Sequence, residues 1–194
     1  MSSHAAAART RTARSNGWWG MLLFVATEAT LFGAIFGTYY YLRFTNAQWP
    51  PRGVPPPDVT LPLVLAFLLA ATAVPMAIAV RATRDGALSR ARLALAVAVA
   101  VQAGFFAMQI SLFHDDLDRF SPRNSAYGSI YFTVLGAHLV HVAAGLLLVA
   151  WLLGKLTRGL TGYRIAATEA IAFYWYFVDL LALLVVAAQL SARV

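Results

Sequence analysis

An apolar run over residues 18–44 carries a carboxylic acid, Glu28, near its middle. The run is long enough to cross the hydrocarbon core of a bilayer, which takes about 20 residues of α-helix. A carboxyl at that depth is costly, so it normally faces protein or water and finds a polar partner. Two interpretations stay open from the sequence: Glu28 takes part in function, or it is a neutral acid held in one structural hydrogen bond.

The two faces of this first helix differ in the size of their side chains. At about 100° per residue, large side chains fall on the Glu28 side and small ones fall opposite. The large set is Met21, Phe24, Leu31, Phe32, Ile35 and Tyr39, and the small set is Ala26, Thr30, Gly33 and Gly37. Small residues allow another helix to approach closely, and the carboxyl needs cover, so we expect both faces to meet protein.

The composition indicates an all-α, polytopic membrane protein without a separate soluble domain. Hydrophobic residues make up 60% of the chain and charged residues only 12%, which is well outside the range of soluble domains. The net charge of +7 comes largely from arginines that flank apolar runs, a sufficient cause in membrane topology, so no nucleic-acid ligand is predicted. The chain has no cysteine, which excludes disulfides and thiolate chemistry.

Four further apolar runs bring the predicted number of transmembrane helices to five. They cover about 61–80, 93–113, 128–153 and 165–190. Residues 1–17 are polar and predict a disordered basic tail, which leaves 18–194 as the membrane domain. The proline-rich segment 45–60 predicts an extended surface loop, and Pro75 predicts a kink in the second span.

Positive charge is distributed unequally between the two predicted sides of the membrane. The tail and the second and fourth loops hold Arg9, Arg11, Arg14, Arg81, Arg84, Arg90, Arg92, Lys155, Arg158 and Arg164. The other side holds Arg43, Arg52, Arg119, Arg123 and Arg193. The positive-inside bias therefore predicts a cytoplasmic N-terminus and an external C-terminus.

Two histidines lie on one face of the fourth span, together with aromatic and small residues. This face holds Tyr131, His138, His141 and Gly145. Histidine is a common ligand of haem and transition metals, but two histidines three residues apart on one helix cannot approach a single haem from opposite faces. The segment His114–Asp118 combines a histidine with aspartates, yet it lacks a regular ligand spacing and is expected to be a solvated loop. We therefore predict no metal site in this chain.

Acidic residues in the fifth span complete the set of polar side chains within the predicted membrane domain. Glu169 lies near the start of this span and Asp179 lies well inside it. Burial requires such groups to find partners. We expect Glu28, His138, His141, Asp179 and nearby tyrosines to form one hydrogen-bonded network.

Four ordered segments of the chain resemble subunit III of cytochrome c oxidase and related haem-copper oxidases, in the short five-span form of bacteria. They read WGMLLFVATEATLF, QAGFFAMQ, YGSIYFTVLGAHLVHVAAG and EAIAFYWYFVD, occur in the family's order and cover nearly the whole chain past the tail. Glu28 matches the family's buried carboxylate, and His138, His141, Glu169 and Asp179 match its other polar positions. Tyr176 stands where the family has histidine, which removes a titratable group.

The resemblance implies a core subunit without redox centres. Such a subunit packs beside catalytic subunit I, which holds haem and copper, in a complex that also contains copper-binding subunit II. It supports electron transport, proton uptake and stability of the complex, and it holds membrane phospholipids. Proton-related or buried polar roles would fall to Glu28, His138, His141, Glu169, Asp179 and Tyr176, and lipid or helix packing to Gly33, Gly37, Gly136 and Gly145. The implied location is the inner membrane of a bacterium.

Two alternatives remain at this point. A subunit III-like protein of a quinol oxidase or nitric oxide reductase would carry the same motifs on five spans. A small proton-coupled transporter would instead use Glu28 and the two histidines as a relay. The absence of an inverted repeat and of paired broken helices makes the transporter the more distant alternative.

Overall fold

The computed structural model describes residues 15–54 and 56–193. Within them it shows helices α1 (Asn16–Thr45), α2 (Thr60–Ala71), α3 (Ala73–Arg84), α4 (Leu88–Arg119), α5 (Ala126–Leu156) and α6 (Gly162–Ser191). Because α2 and α3 together make one span, the helices provide five apolar segments long enough to cross a membrane. The predicted all-α bundle of five spans is confirmed.

The first helix begins slightly before the predicted span. Ser15 caps α1 by accepting a hydrogen bond from the Trp18 N–H at 3.2 Å, so Asn16 and Gly17 are helical although the sequence had placed them in the tail. Residues 1–14 of the predicted tail lie outside the described part of the chain.

The acidic segment before Phe120 is helical, whereas the sequence predicted a loop there. α4 continues to Arg119, so His114, Asp115, Asp116 and Asp118 lie on its last turns. Hydropathy detects only the part of a helix that crosses hydrocarbon, and backbone hydrogen bonds carry the helix beyond it. The Asp116 carboxylate also accepts a hydrogen bond from the Tyr131 hydroxyl at 2.6 Å, which holds this end of α4 against α5.

The second span breaks where the proline predicts it. Thr72 separates α2 from α3, three residues before Pro75, whose ring lacks an N–H and conflicts with the carbonyl four residues earlier. The Thr72 hydroxyl donates to the Leu69 carbonyl at 2.6 Å and accepts from Trp175 Nε1 at 2.7 Å. The break is therefore tied to α6 inside the protein.

Helix α6 is the centre of the bundle. It packs against α1, α2, α3 and α5 and contributes to all three clusters of buried apolar residues along the bundle. Its fully buried Trp175 and Val178 lie in two of these clusters, and Val185 lies in the third. No Cα atom of α4 comes within 8 Å of one in α6, so side chains from α2, α4, α5 and α6 meet in the space between them.

Helix α1 contacts the bundle along one face only. It packs on α5 and α6 through Val25, Phe32 and Tyr39, which are its buried residues. The opposite face, with Ala26, Thr30, Gly33 and Gly37, is exposed. Within the described chain, protein therefore covers only part of the Glu28 side, since Phe24 and Leu31 are about half exposed. It does not cover the small-residue side, which was also expected to meet protein.

Candidate functional site

Glu28 and His141 form a direct pair between helices α1 and α5. Glu28 Oε2 lies 3.0 Å from His141 Nε2, although the two residues are 113 positions apart in the sequence. The Glu28 side chain is 20% exposed and that of His141 is 11% exposed. The pair thus supplies the partner that a carboxyl at mid-membrane requires.

The second ring nitrogen of His141 defines how many protons this pair holds. His141 Nδ1 lies 2.7 Å from the carbonyl oxygen of Ala137, and a carbonyl can only accept, so Nδ1 carries a hydrogen. The contact between Nε2 and the Glu28 carboxyl then needs one proton, placed either on the acid or on the imidazole. A neutral pair and an ion pair have the same number of hydrogen bonds, so one proton can move between the partners without rearranging heavy atoms.

Aromatic side chains enclose the pair. The Phe32 ring meets the His141 ring edge to face at 5.0 Å between centroids, and the Tyr174 ring stacks on the His141 ring at 6.5 Å. The Tyr174 hydroxyl donates to the His141 backbone carbonyl at 3.1 Å. These contacts cover part of the pair, and where protein replaces water a satisfied hydrogen bond is stronger and an unsatisfied group more costly.

His138 lies outside the Glu28 network. Its side chain is buried, with 3% exposure, and its ring meets the Phe105 ring of α4 at 6.1 Å. Neither ring nitrogen has a hydrogen-bond partner among the described residues. The reason is helical geometry, because a three-residue step rotates by about 300° and turns the two histidines toward different neighbours.

Asp179 is also separate from the Glu28 network. It is 5% exposed, and its carboxyl oxygens have no hydrogen-bond partner in the described chain. The single network expected from the sequence therefore reduces to Glu28, His141 and Tyr174.

Two other residues from the predicted site lie away from the pair. Glu169 forms an ion pair with Arg84 at 2.8 Å, and the Arg84 side chain is 54% exposed. Tyr176 is exposed on the bundle surface, at 36%. Neither makes a hydrogen bond with Glu28 or His141 in the described structure. The structure thus places both outside the pair.

The four glycines predicted at packing positions have different surroundings. A Cβ atom at Gly145 would meet the Gln102 side chain at 3.5 Å and the Tyr174 ring at 3.7 Å, so Gly145 packs between helices. At Gly33, Gly37 and Gly136 a Cβ atom would have no neighbour within 4 Å in the described chain. Of these four glycines, only Gly145 therefore packs against other helices within the described chain.

Sequence reasoning missed a chain of polar contacts at the end of the bundle that carries the aspartates. The Gln189 side chain donates to the Tyr131 hydroxyl at 3.1 Å, and that hydroxyl donates to Asp116. A signal was present as a seven-residue repeat, with Gln102, Gln109 and Asp116 on α4 and Tyr131, His138 and Gly145 on α5. In two antiparallel helices, residues repeated every seven positions stay on one face, so each member of the α4 set lies opposite one member of the α5 set.

The described residues contain no group of three or more His, Cys, Asp or Glu side chains close enough to hold a metal ion. Glu28 and His141 are therefore not part of a larger set of possible metal ligands among these residues. Their contact is suited to holding a proton or passing it between the two side chains. Fold and site together define a polytopic membrane protein with a partly buried acid–histidine pair between α1 and α5.

The chain belongs to the cytochrome c oxidase subunit III family. The family model "Cytochrome c oxidase subunit III" matches residues 2–189, which includes every helix of the bundle except the last residues of α6. The chain is therefore a subunit of the haem-copper oxidase family, as the motifs predicted.

Similar proteins include subunits named for two kinds of oxidase. Cytochrome c oxidase subunit 3 of Bacillus subtilis is 30% identical over 84% of this chain and 80% of its own length. Cytochrome bo(3) ubiquinol oxidase subunit 3 of Pseudomonas aeruginosa is 31% identical over 85% of this chain and 79% of its own length. For cytochrome c oxidase subunit 3 of Gallus gallus the identity is 31%, over 84% of this chain and 64% of the relative.

We expect Glu28 and His141 to be energetically coupled. In a double-mutant cycle with Glu28→Leu and His141→Leu, the double variant should lose less stability than the sum of the single variants, with a coupling of about 1 kcal/mol, within the usual range for residues in contact. The reason is that each single variant leaves a partly buried polar group without its partner, whereas the double variant removes both groups. Thermal unfolding in detergent measures the effect.

The matched control is a second cycle that replaces His141→Leu by His138→Leu. His138 makes no hydrogen bond with Glu28, so its variant should combine with Glu28→Leu almost additively. Equal coupling in the two cycles would contradict a direct Glu28–His141 bond.

Proposed function

We propose that the chain is the non-redox subunit III of a respiratory, oxygen-reducing cytochrome c oxidase in a bacterial inner membrane. It would pack beside the catalytic subunit I that holds haem and copper, in a complex with the copper-binding subunit II. There it supports proton uptake and keeps the catalytic subunit stable during turnover. Family membership and the similarity to a bacterial cytochrome c oxidase subunit 3 support this proposal.

The observation that carries the proton-related role is the Glu28–His141 contact of 3.0 Å. Because His141 Nδ1 is already engaged with the Ala137 carbonyl, the Glu28–His141 contact needs one proton, which either the carboxyl or the imidazole can carry. A purely structural hydrogen bond would not require two titratable partners. The role we assign is supportive, since Glu28 lies in a subunit that performs no oxygen chemistry in this proposal.

Two variants separate the proton of Glu28 from its hydrogen bond. In Glu28→Gln the amide N–H can still donate to His141 Nε2, so shape and bond persist while the titratable proton is lost. In Glu28→Leu both are lost. We expect both variants to retain a full haem spectrum, with oxygen consumption falling less than about tenfold toward alkaline pH or over turnovers, far below the 10²–10⁴-fold effect of removing a direct general acid.

The measurement is oxygen consumption per haem, in matched membranes, across pH and over successive turnovers. If Glu28→Gln superimposes on the unsubstituted chain while Glu28→Leu is impaired, the bond is structural and the proton role is wrong. Complete loss of activity in Glu28→Gln with intact haem would make Glu28 an obligatory proton donor instead.

The exposed face of α1 is the surface we assign to a neighbouring oxidase subunit. Gly33 and Gly37 have open space around them, and small side chains surround them on this face. In a membrane, small residues allow helices to approach closely enough for backbone contact. Because the chain belongs to an oxidase subunit family, this exposed face is available for contact with another subunit of the complex.

Purification through a tag on this chain tests that assignment. Gly37→Leu should reduce co-purified haem-containing subunit roughly tenfold, because overpacking a close helix contact costs about 1–3 kcal/mol. Gly20→Leu is the matched control, since Gly20 is an exposed glycine of the same helix on a different face. Equal retention of haem by both variants would contradict the assignment.

The same preparation identifies the electron donor and the lipids. A copper-binding partner and oxidation of cytochrome c would support the proposal, whereas oxidation of quinol alone would support the quinol oxidase alternative, which the Pseudomonas relative represents by name.

An apolar groove of about 620 Å³, lined by Gly17, Trp151 and Tyr163 among others, offers space for a phospholipid. Phosphorus analysis should find bound phospholipid, and its absence would contradict that part of the proposal.

The orientation in the membrane follows from the two ends of the bundle. One end, called here the basic end, carries Arg81, Arg84, Arg90, Lys155, Arg158 and Arg164, and the opposite acidic end carries Asp58, Asp115, Asp116 and Asp118. We place the basic end and the N-terminus in the cytoplasm and the C-terminus outside, in line with the positive-inside bias. Reporter fusions to the two termini should respond on opposite sides, and responses on one side would contradict this orientation.

A further inference from the structure

A small cavity lies beside His138, in the space where α4 and α6 do not touch. Its lining includes Gln109 of α4, His138 of α5, and Val185 and Gln189 of α6. The cavity has a volume of about 10 Å³, which is close to the least space that one water molecule occupies. Polar groups on three sides make this a place where water has hydrogen-bond partners.

A second space lies next to this cavity, on the side of the acidic end. It measures about 60 Å³ and shares Pro62, Gln109 and Gln189 with the lining of the first. Its other lining residues include Asp58, Asp115, Asp116 and Arg119. The two spaces therefore adjoin each other between the acidic end and His138, with Pro62, Gln109 and Gln189 at their boundary.

His138 is the second, independent observation that points to water. Its side chain is 3% exposed, it lines the cavity, and neither ring nitrogen has a partner in the described chain. A buried polar group without a hydrogen bond costs about 1–3 kcal/mol, and buried polar groups in native proteins are nearly always satisfied by protein or water. A water in the adjacent cavity removes this cost.

The charges around the two spaces favour cations over anions. Three carboxylates and one guanidinium line the outer space, and the carboxylate of Asp116 is oriented by the Tyr131 hydroxyl at 2.6 Å. Gln189 bonds the same hydroxyl at 3.1 Å and reaches into both spaces. A cleft with an excess of one sign of charge raises the local concentration of the opposite ion.

We propose that these spaces form a water-filled inlet that opens at the acidic end and terminates at His138. It binds water and admits small cations of similar size, hydronium included. The Glu28–His141 pair is not part of this inlet, because His141 faces α1 while His138 faces α4. The subunit therefore has two separate polar sites on one helix, of which only the His138 site is in contact with water from the acidic end.

Single cysteines test the inlet directly, because the chain has none of its own. Val185 lines the cavity, whereas Val178 lies seven residues earlier on α6, is fully buried and lines neither space. Ag⁺, an ion of about the size of water, is applied to sealed native membranes that contain the complex. Thiols left free are then counted with a maleimide mass tag after denaturation.

We expect Ag⁺ to block Val185→Cys at least about tenfold faster than Val178→Cys, since thiol reactivity follows access. The faster reaction should occur only from the side that exposes the acidic end. That side is identified independently by an impermeant maleimide on Asp118→Cys and, for the opposite side, Arg158→Cys, both at exposed positions. Ala182→Cys, which also lines the cavity, serves as the test if Val185→Cys does not accumulate.

A second substitution tests the route rather than the cavity. Gln109→Leu replaces the polar side chain shared by both spaces with an apolar one of similar size, so it should slow the reaction of Val185→Cys about tenfold or more. Equal reaction of Val185→Cys and Val178→Cys, equal access from both sides, or no effect of Gln109→Leu would overturn the inlet. Because the assay measures access and not oxidase activity, it gives its answer whether or not the proposed oxidase partners co-purify.

Discussion

A carboxyl in the middle of a membrane helix must find a polar partner inside the protein, and the placement of α1 depends on this requirement. Glu28 finds its partner in His141 on α5 at 3.0 Å. The apolar residues Val25, Phe32 and Tyr39 are the buried positions of α1, and Phe32 also contacts the His141 ring. One stripe of α1 thus supplies both the packing and the polar bond that hold this helix on the bundle.

The sequence predicted the bundle well because membrane spans have a strong and local signal. All five runs became helices, and Pro75 marked the break at Thr72. The ends of the helices were predicted less well than their apolar centres. Helix α4, for example, runs from Leu88 to Arg119, and its last turns are polar. Hydropathy has no information about a helix after it leaves hydrocarbon, whereas backbone hydrogen bonds and the Tyr131–Asp116 contact extend it.

The site was predictable by residue but not by pairing. Glu28, His138 and His141 are each recognisable in the sequence as polar groups within apolar runs. No local pattern connects Glu28 to a histidine 113 positions away. The sequence could not say which histidine it meets, because that choice depends on how α5 is rotated against α1 and α4. A role for Gln109 and Gln189 was still less indicated by the sequence. Both line the space that α4 and α6 leave between them, and that space depends on how the helices pack.

Helix α5 uses its two histidines in opposite ways. His141 has both ring nitrogens engaged by protein, through Glu28 and the Ala137 carbonyl, and aromatic rings cover it. His138 has neither nitrogen engaged by the described protein and borders a cavity. A three-residue step along one helix is enough to separate these environments, so a histidine paired by protein and a histidine that borders a cavity lie about one turn apart.

The geometry of the pair makes its hydrogen bond sensitive to losing its proton and less sensitive to gaining one. With Nδ1–H directed to the Ala137 carbonyl, removal of the shared proton leaves a carboxylate oxygen facing the lone pair of Nε2. To restore a donor, the imidazole must move its hydrogen to Nε2 and give up the Ala137 bond, so one hydrogen bond is lost in either case. A second proton leaves an N–H that still points at the carboxyl. Within the described chain α1 packs only on α5 and α6, so the Glu28–His141 hydrogen bond is one of the contacts that dock α1 on the bundle.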